Sequence, residues 1–126
     1  MDLRNVVVAI SGASGSIYGI RVLQMLRQVE DVNSHLVITP SAKSTIGVET
    51  EYSVSEIEEL ADEVHSARDI GASIASGSFK TVGMIVAPCS IKTLSAIANS
   101  FGADLVSRAA DVTLKERRPL VLMVRE

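Results

Sequence analysis

Four short runs rich in β-branched and aliphatic residues punctuate the chain: Asn5–Ile10 (NVVVAI), His35–Thr39 (HLVIT), Val82–Ala87 (VGMIVA) and Pro119–Val124 (PLVLMV). A strand that is apolar without alternation is covered on both faces, which suits the interior of a parallel sheet. Between the runs, apolar residues recur at helical spacing. Strands that alternate with helices give a parallel sheet with helices on both faces, so the expected fold class is α/β. More narrowly, it is a three-layer doubly wound sheet of the Rossmann-like or flavodoxin-like kind. At 126 residues the chain has the length of one such unit, and residues 1–126 are expected to form a single α/β domain.

The connecting segments carry their own signals. Val22, Met25, Leu26 and Val29 predict a helix from Ile17 to about Val29. A second helix is expected over Ser41–Glu51. Ser53-x-x-Glu56 and Ser55-x-x-Glu58 are capping-box patterns, so a short acidic helix should follow and run to about Val64. Ala67–Lys80, rich in Gly, Ser and Ala, reads as irregular. Pro88 is expected to end the third run. Ile91, Leu94 and Ile97 mark a helix over Ser90–Asn99, Gly102 breaks it, and Leu105, Ala109 and Val112 mark another ending near Lys115–Arg118.

Several function classes are disfavoured. A net charge of −3 gives no general electrostatic reason to bind nucleic acid or an anionic membrane. Aromatics make up 3% and there is no Trp, so stacking platforms for single-stranded nucleic acid are not expected. A lone cysteine, Cys89, allows no intramolecular disulfide and no multi-cysteine zinc site, and with no base beside it reads as a buried small residue. Val6–Ile10 is too short for a membrane span or signal core, so a soluble, cytoplasmic protein is expected. His35 and His65 have no metal-ligand spacing and read as structural; no metal site is expected.

In doubly wound sheets ligands bind at the carboxyl ends of the strands. After the first run comes Ser11-Gly12-Ala13-Ser14-Gly15-Ser16, a tight turn leading into a helix N-terminus, which reads as a cradle for a phosphate or another polar ligand. Its glycines run GxxGxxxG rather than GxGxxG. The place after the second strand holds Thr39-Pro40-Ser41, not the acidic residue that grips a nicotinamide ribose, and Asp31 lies before the strand. A nicotinamide-dependent reductase is therefore disfavoured, and a single phosphate or a mononucleotide fits better. After the third run, Ser90 is a good N-cap, with Lys92 and Thr93 in the first turn. Arg125-Glu126 follows the last strand. Arg108 and Lys115, seven apart, share a helix face and with Arg117 and Arg118 could converge on a phosphate. Glu49 is a candidate acid/base carboxylate.

Three stretches, Ile10-Ser-Gly-Ala-Ser-Gly-Ser-Ile-Tyr-Gly19, Ala87-Pro-Cys-Ser-Ile-Lys-Thr-Leu-Ser95 and the long segment from Arg108 to Glu126, together resemble the UbiX-like flavin prenyltransferases. These belong to the flavodoxin-like flavoproteins that also include cysteine decarboxylases. The resemblance implies binding of reduced flavin mononucleotide (FMN) and dimethylallyl phosphate. The prenyl group is joined to flavin N5 and C6, and the prenylated FMN serves UbiD-type decarboxylases, for example in ubiquinone biosynthesis. No metal is implied. A homododecamer with sites shared between subunits is.

Carried over by motif, Gly12, Ala13 and Ser14 would line the flavin, with Ser14 near N5. Thr39 would contact flavin, and Ser90, Ile91, Lys92 and Thr93 would form the second flavin loop. Arg125 would meet the flavin or the allylic phosphate. Arg108 and Lys115 would help hold the allylic phosphate, and Glu49 and Glu126 would manage protons. Family members are expected to continue past Glu126 through a helix, a strand and a terminal helix, so a C-terminally truncated form is expected. The alternative is a non-catalytic FMN-binding accessory subunit of an aromatic acid decarboxylase.

Overall fold

In a computed structural model that describes residues 3–102 and 104–126, the strands are β1 (Arg4–Ile10), β2 (Val32–Ile38), β3 (Glu63–Ser66), β4 (Gly83–Cys89) and β5 (Leu120–Val124). They form one sheet in the order β3-β2-β1-β4-β5, and every pairing is parallel. The helices are α1 (Ser16–Leu26), α2 (Pro40–Glu49), α3 (Val54–Glu58), α4 (Ile91–Ala98) and α5 (Leu105–Lys115). This is the three-layer doubly wound α/β fold, and its order reverses between β1 and β4.

The two faces of β1 show why its sequence does not alternate. Val7 and Ala9 pack with Val37, Met84 and Val86 against Leu105, Val106, Ala109 and Ala110 of α5. Val8 and Ile10 pack with Leu36 and Ile38 against Ile20 and Leu23 of α1, Ala42 and Ile46 of α2, and Ile57 of α3. Ile10, Ile20, Leu23, Leu36, Ile46, Ile57 and Leu105 are fully buried. Each contributes roughly 1.5–3 kcal/mol of transfer free energy.

Four sequence expectations need correction. The acidic helix stops at Glu58 instead of reaching Val64, and β3 follows at the sheet edge. Glu63–Ser66 is only four residues long, and none of them is fully buried, so it lacks the apolar signature of the other strands. β2 begins at Val32, three residues before the predicted start. Helix α1 ends at Leu26 and buries Ser16, Gly19, Ile20 and Leu23, while Met25 and Val29, expected to face the core, are 68% and 46% exposed. Small residues let the helix approach the sheet closely, and a stripe read from large side chains misses that face. Lastly, β4 continues through Pro88 to Cys89; Pro88 lies where the β4–β5 register shifts between Val86 and Cys89, a place where a ladder tolerates a missing N–H.

Among the described residues no helix is long and apolar enough to cross a membrane. Cys89 is fully buried, and burial pushes its thiol pKa up, consistent with a packing role.

Candidate functional site

The carboxyl ends of β1 and β4 lie side by side at the point where strand order reverses. There the Ser11–Ser16 bend meets the bend that starts α4. Ser11 joins them: its buried Oγ donates to the Pro88 carbonyl at 2.8 Å and accepts from the Ser90 N–H at 2.8 Å. Ser11 carried no assigned role in the sequence reading; only its place before Gly12 hinted at one. Ser11→Ala should cost about 2 kcal/mol by leaving the Ser90 N–H without its acceptor, while the Pro88 carbonyl keeps the Ser11 N–H. Urea unfolding would measure the loss, and an unchanged midpoint would show that the two bends hold together without the hydroxyl.

Three helices aim their N-termini at one cleft of about 280 Å³. Thr39 caps α2, its Oγ1 accepting from the Ala42 N–H at 3.2 Å. Ser90 caps α4, its Oγ accepting from the Thr93 N–H at 3.1 Å and donating to Thr93 Oγ1. Asp104 caps α5, accepting from the Ser107 N–H at 3.0 Å. Ser41 and Lys92 complete the polar lining, and Gly12 packs directly on Ser41. The N-termini of α2 and α4, with hydroxyl donors and Lys92, concentrate positive potential that suits a phosphate, while the Asp104 carboxylate already occupies the N-terminus of α5. Of the second-loop residues, Ile91 is more than half exposed and does not line this cleft.

A second cleft, about 400 Å³, is lined by Gly15, Ile17, Tyr18, Glu49, Thr50 and Arg125. Gly15, at φ 105°, is the N-cap of α1 and has no side chain with which to cap it. Glu49, the last residue of α2, supplies the missing group: its Oε1 accepts from the N–H groups of Gly15 at 3.1 Å and Ser16 at 3.2 Å. The first bend therefore does not offer its helix N-terminus to a phosphate as the sequence suggested; a carboxylate of the same chain holds it.

Those contacts, the Ser16 N–H foremost, lower the Glu49 pKa below its ordinary 4.5. Glu49's hold on α1 is complete above the unfolded value of 4.5 and is lost as pH falls through the lower folded value. In an NMR titration the Gly15 and Ser16 amide resonances should move together with a midpoint below pH 4.5. A midpoint near 7 would contradict the capping role.

The chain after β5 closes over the same bend. The Arg125 N–H donates to the Cys89 carbonyl, its Nε donates to the Ser14 carbonyl at 3.0 Å, and its guanidinium stands 5.2 Å from the Tyr18 ring centroid. The Ser14 N–H donates to the Glu126 carbonyl at 2.7 Å. Ser14, Glu49, Arg125 and Glu126 thus gather at one bend, and Ala13 is buried beneath it.

The structure does not bring Arg108 and Lys115 to either cleft. Both sit on α5 in grooves that include Ser100, Asp111 and Val112. Lys115 ends that helix, about 15 Å from its first residue at 1.5 Å per residue. Arg118 is committed elsewhere, donating to the carbonyls of Phe79 and Gly77, and does not join the predicted cluster of Arg108, Lys115, Arg117 and Arg118. Beyond Ser11, the sequence reading missed Tyr18 and the Asp104/Ser107 pair. The latter was legible as an Asp-x-x-Ser cap before an apolar helix.

A family profile described as Flavoprotein matches residues 1–125. Flavin prenyltransferase UbiX of Escherichia coli K12 is 58% identical over 98% of the chain and 66% of its own length. The solved structure of AnUbiX (PadA1) in complex with FMN and dimethylallyl pyrophosphate superposes with a TM-score of 0.96 at 52% identity, covering 98% of this chain and 65% of that one. The dodecameric FMN-dependent UbiX-like decarboxylase from E. coli O157:H7 gives a TM-score of 0.95 at 49% identity over 97% of this chain and 66% of that one. The chain spans about two thirds of the length of the relatives it matches.

Proposed function

The chain belongs to the flavoprotein family, and we propose that it acts as a flavin prenyltransferase, joining a dimethylallyl group from dimethylallyl phosphate to reduced FMN. The observation that carries this reading is a pair of clefts, each with a basic side chain, one lined by Thr39, Ser41, Ser90, Lys92 and Thr93 and the other by Gly15, Tyr18, Glu49 and Arg125. Two phosphorylated reactants need two anion sites with a reacting atom between them.

The hydroxyl cleft fits the FMN phosphate. Thr39, Ser41, Ser90 and Thr93 offer hydroxyls, Lys92 offers charge, and the N-termini of α2 and α4 converge on the same space. These residues would hold reduced FMN, which would supply the nucleophilic N5 and C6 for the prenyl carbons as the allylic phosphate leaves. Gly12, Ala13 and Ser14 would flank its ring. In the second cleft Arg125 would hold the allylic phosphate, whose charge grows as the C–O bond breaks; a guanidinium aimed at developing charge is electrostatic catalysis. Ser14, exposed at the bend between the clefts, would pass protons.

Glu49 would remain ionised while capping α1, orienting the bend and accepting a proton only on release from its two N–H donors. Arg108 and Lys115 would serve a neighbouring subunit's allylic phosphate in a homododecamer with shared sites. The product would pass to a UbiD-type decarboxylase, within the cytoplasm.

The test is direct. The 126-residue protein is incubated without oxygen with reduced FMN and dimethylallyl phosphate, and the extracted flavin is weighed by mass spectrometry. A gain of one prenyl unit is the expected result. Tight FMN binding with no mass gain would replace this reading with that of a flavin-carrying accessory subunit. Glu49→Gln should slow adduct formation about tenfold, in the range of acid–base and positioning effects, while sparing FMN binding; parent-like rates would remove Glu49 from the mechanism.

A further inference from the structure

Away from the rim, the edge of the sheet carries a polar cluster that neither cleft uses. In the β2–β3 register His35 stands opposite Glu63 and Val37 opposite His65. Alternation along Glu63-Val64-His65 sends both polar side chains to the face that His35 occupies. His35 is fully buried, while the Glu63 side chain is 51% exposed. His35 Nδ1 and His65 Nε2 face each other at 3.0 Å, with the rings parallel within 3°. Nitrogens that close share a single hydrogen, and a cation can take its place. His35 Nε2 lies 3.0 Å from Asn5 Oδ1 and 3.4 Å from Glu63 Oε2, and Asn33 Nδ2 donates to that carboxylate oxygen at 2.6 Å. Anchoring of a histidine's second nitrogen by an amide oxygen is the support that metal-binding imidazoles have.

We propose that His35, His65 and Glu63 form a site for one divalent cation of the zinc type, with water as its fourth ligand. One ligating atom from each residue lies within 4.8 Å of the others; the Glu63 carboxylate, which stands beside His35 Nε2, must swing toward Nδ1 to join them, and its exposure allows this. Tetrahedral bonds of 2.0–2.1 Å require facing nitrogens about 3.3–3.4 Å apart, so the rings must part by a few tenths of an ångström and hinge toward the cation. His65, on the short edge strand, has room to do so. Two imidazoles and a carboxylate suit zinc, cobalt or nickel rather than magnesium or calcium.

The site lies four residues before Thr39 along β2, about 13 Å at strand rise, so the cation stands apart from the rim. Its effect is to clamp β3, paired on one side only, onto β2.

The protein, stripped with chelator, is titrated with Co²⁺ followed by visible absorption and with Zn²⁺ against a competing indicator. One equivalent of each should bind, with tetrahedral cobalt bands, no thiolate charge-transfer band, and a higher melting temperature with Zn²⁺. His65→Gln and Glu63→Gln, both at partly exposed positions and checked for folding by circular dichroism, should each weaken binding at least tenfold. Absence of stoichiometric binding to the parent, a thiolate band, or affinity unchanged in whichever variants fold would overturn the assignment.

Discussion

Gly19→Ala is expected to destabilise the protein by about 2–3 kcal/mol, although alanine is the better helix former by about 1 kcal/mol. Gly19 lies in the buried stripe of α1. A β-carbon there would stand 2.3 Å from the Ala87 carbonyl oxygen and 2.7 Å from Ile10 Cγ1. The first of these neighbours is backbone at the end of β4 and cannot turn aside. The helix would have to move off the junction where β1 and β4 carry the two bends, so the loss should reach the site as well as the core. Against a typical total stability of about 5–15 kcal/mol, this is a large fraction. Urea unfolding of parent and variant measures it. A variant as stable as the parent would mean that α1 does not sit this close to the sheet.

On the proposed function, Arg125→Ala should reduce prenyl transfer by about 10²–10³-fold, the usual scale for removing a group that stabilises developing charge. FMN affinity should change less than tenfold, because Arg125 lines the cleft with Glu49 and Tyr18 and not the hydroxyl cleft. Single-turnover rates alongside FMN titration separate the two quantities. Equal loss of affinity and rate would instead assign Arg125 to the flavin phosphate. Arg125→Lys should recover little, since an ammonium cannot donate to the Ser14 carbonyl and stack over Tyr18 in the same planar manner.

The central strands were legible because burial on two faces leaves an unmistakable apolar run: NVVVAI and VGMIVA could hardly be anything else. β3 was not, since an edge strand of EVHS pays little attention to either face, and its pairing is set by β2. The caps at Ser90 and Ser53 could be read because their chemistry is local; Ser53 and Glu56 make the reciprocal bonds expected of them. Glu49 was named from the sequence, but its link to Gly15 spans 34 residues, and only the fold shows that it caps a helix beginning with a residue that cannot cap itself. The same limit hid the histidines. Thirty residues separate them in the chain, and only parallel pairing makes them neighbours. Arg108 and Lys115 show the converse: a correct reading of a shared helix face did not say which way that face points.

The Ser11 hydroxyl, together with the Ser11 N–H that donates to the Pro88 carbonyl, ties together two segments that lie 79 positions apart. Their separation is settled when the chain folds, not when a guest arrives. A ligand therefore meets a gap of predetermined width, and little of its binding free energy is consumed in drawing the walls together. Discrimination between guests should then follow their dimensions more than their capacity to reshape the host.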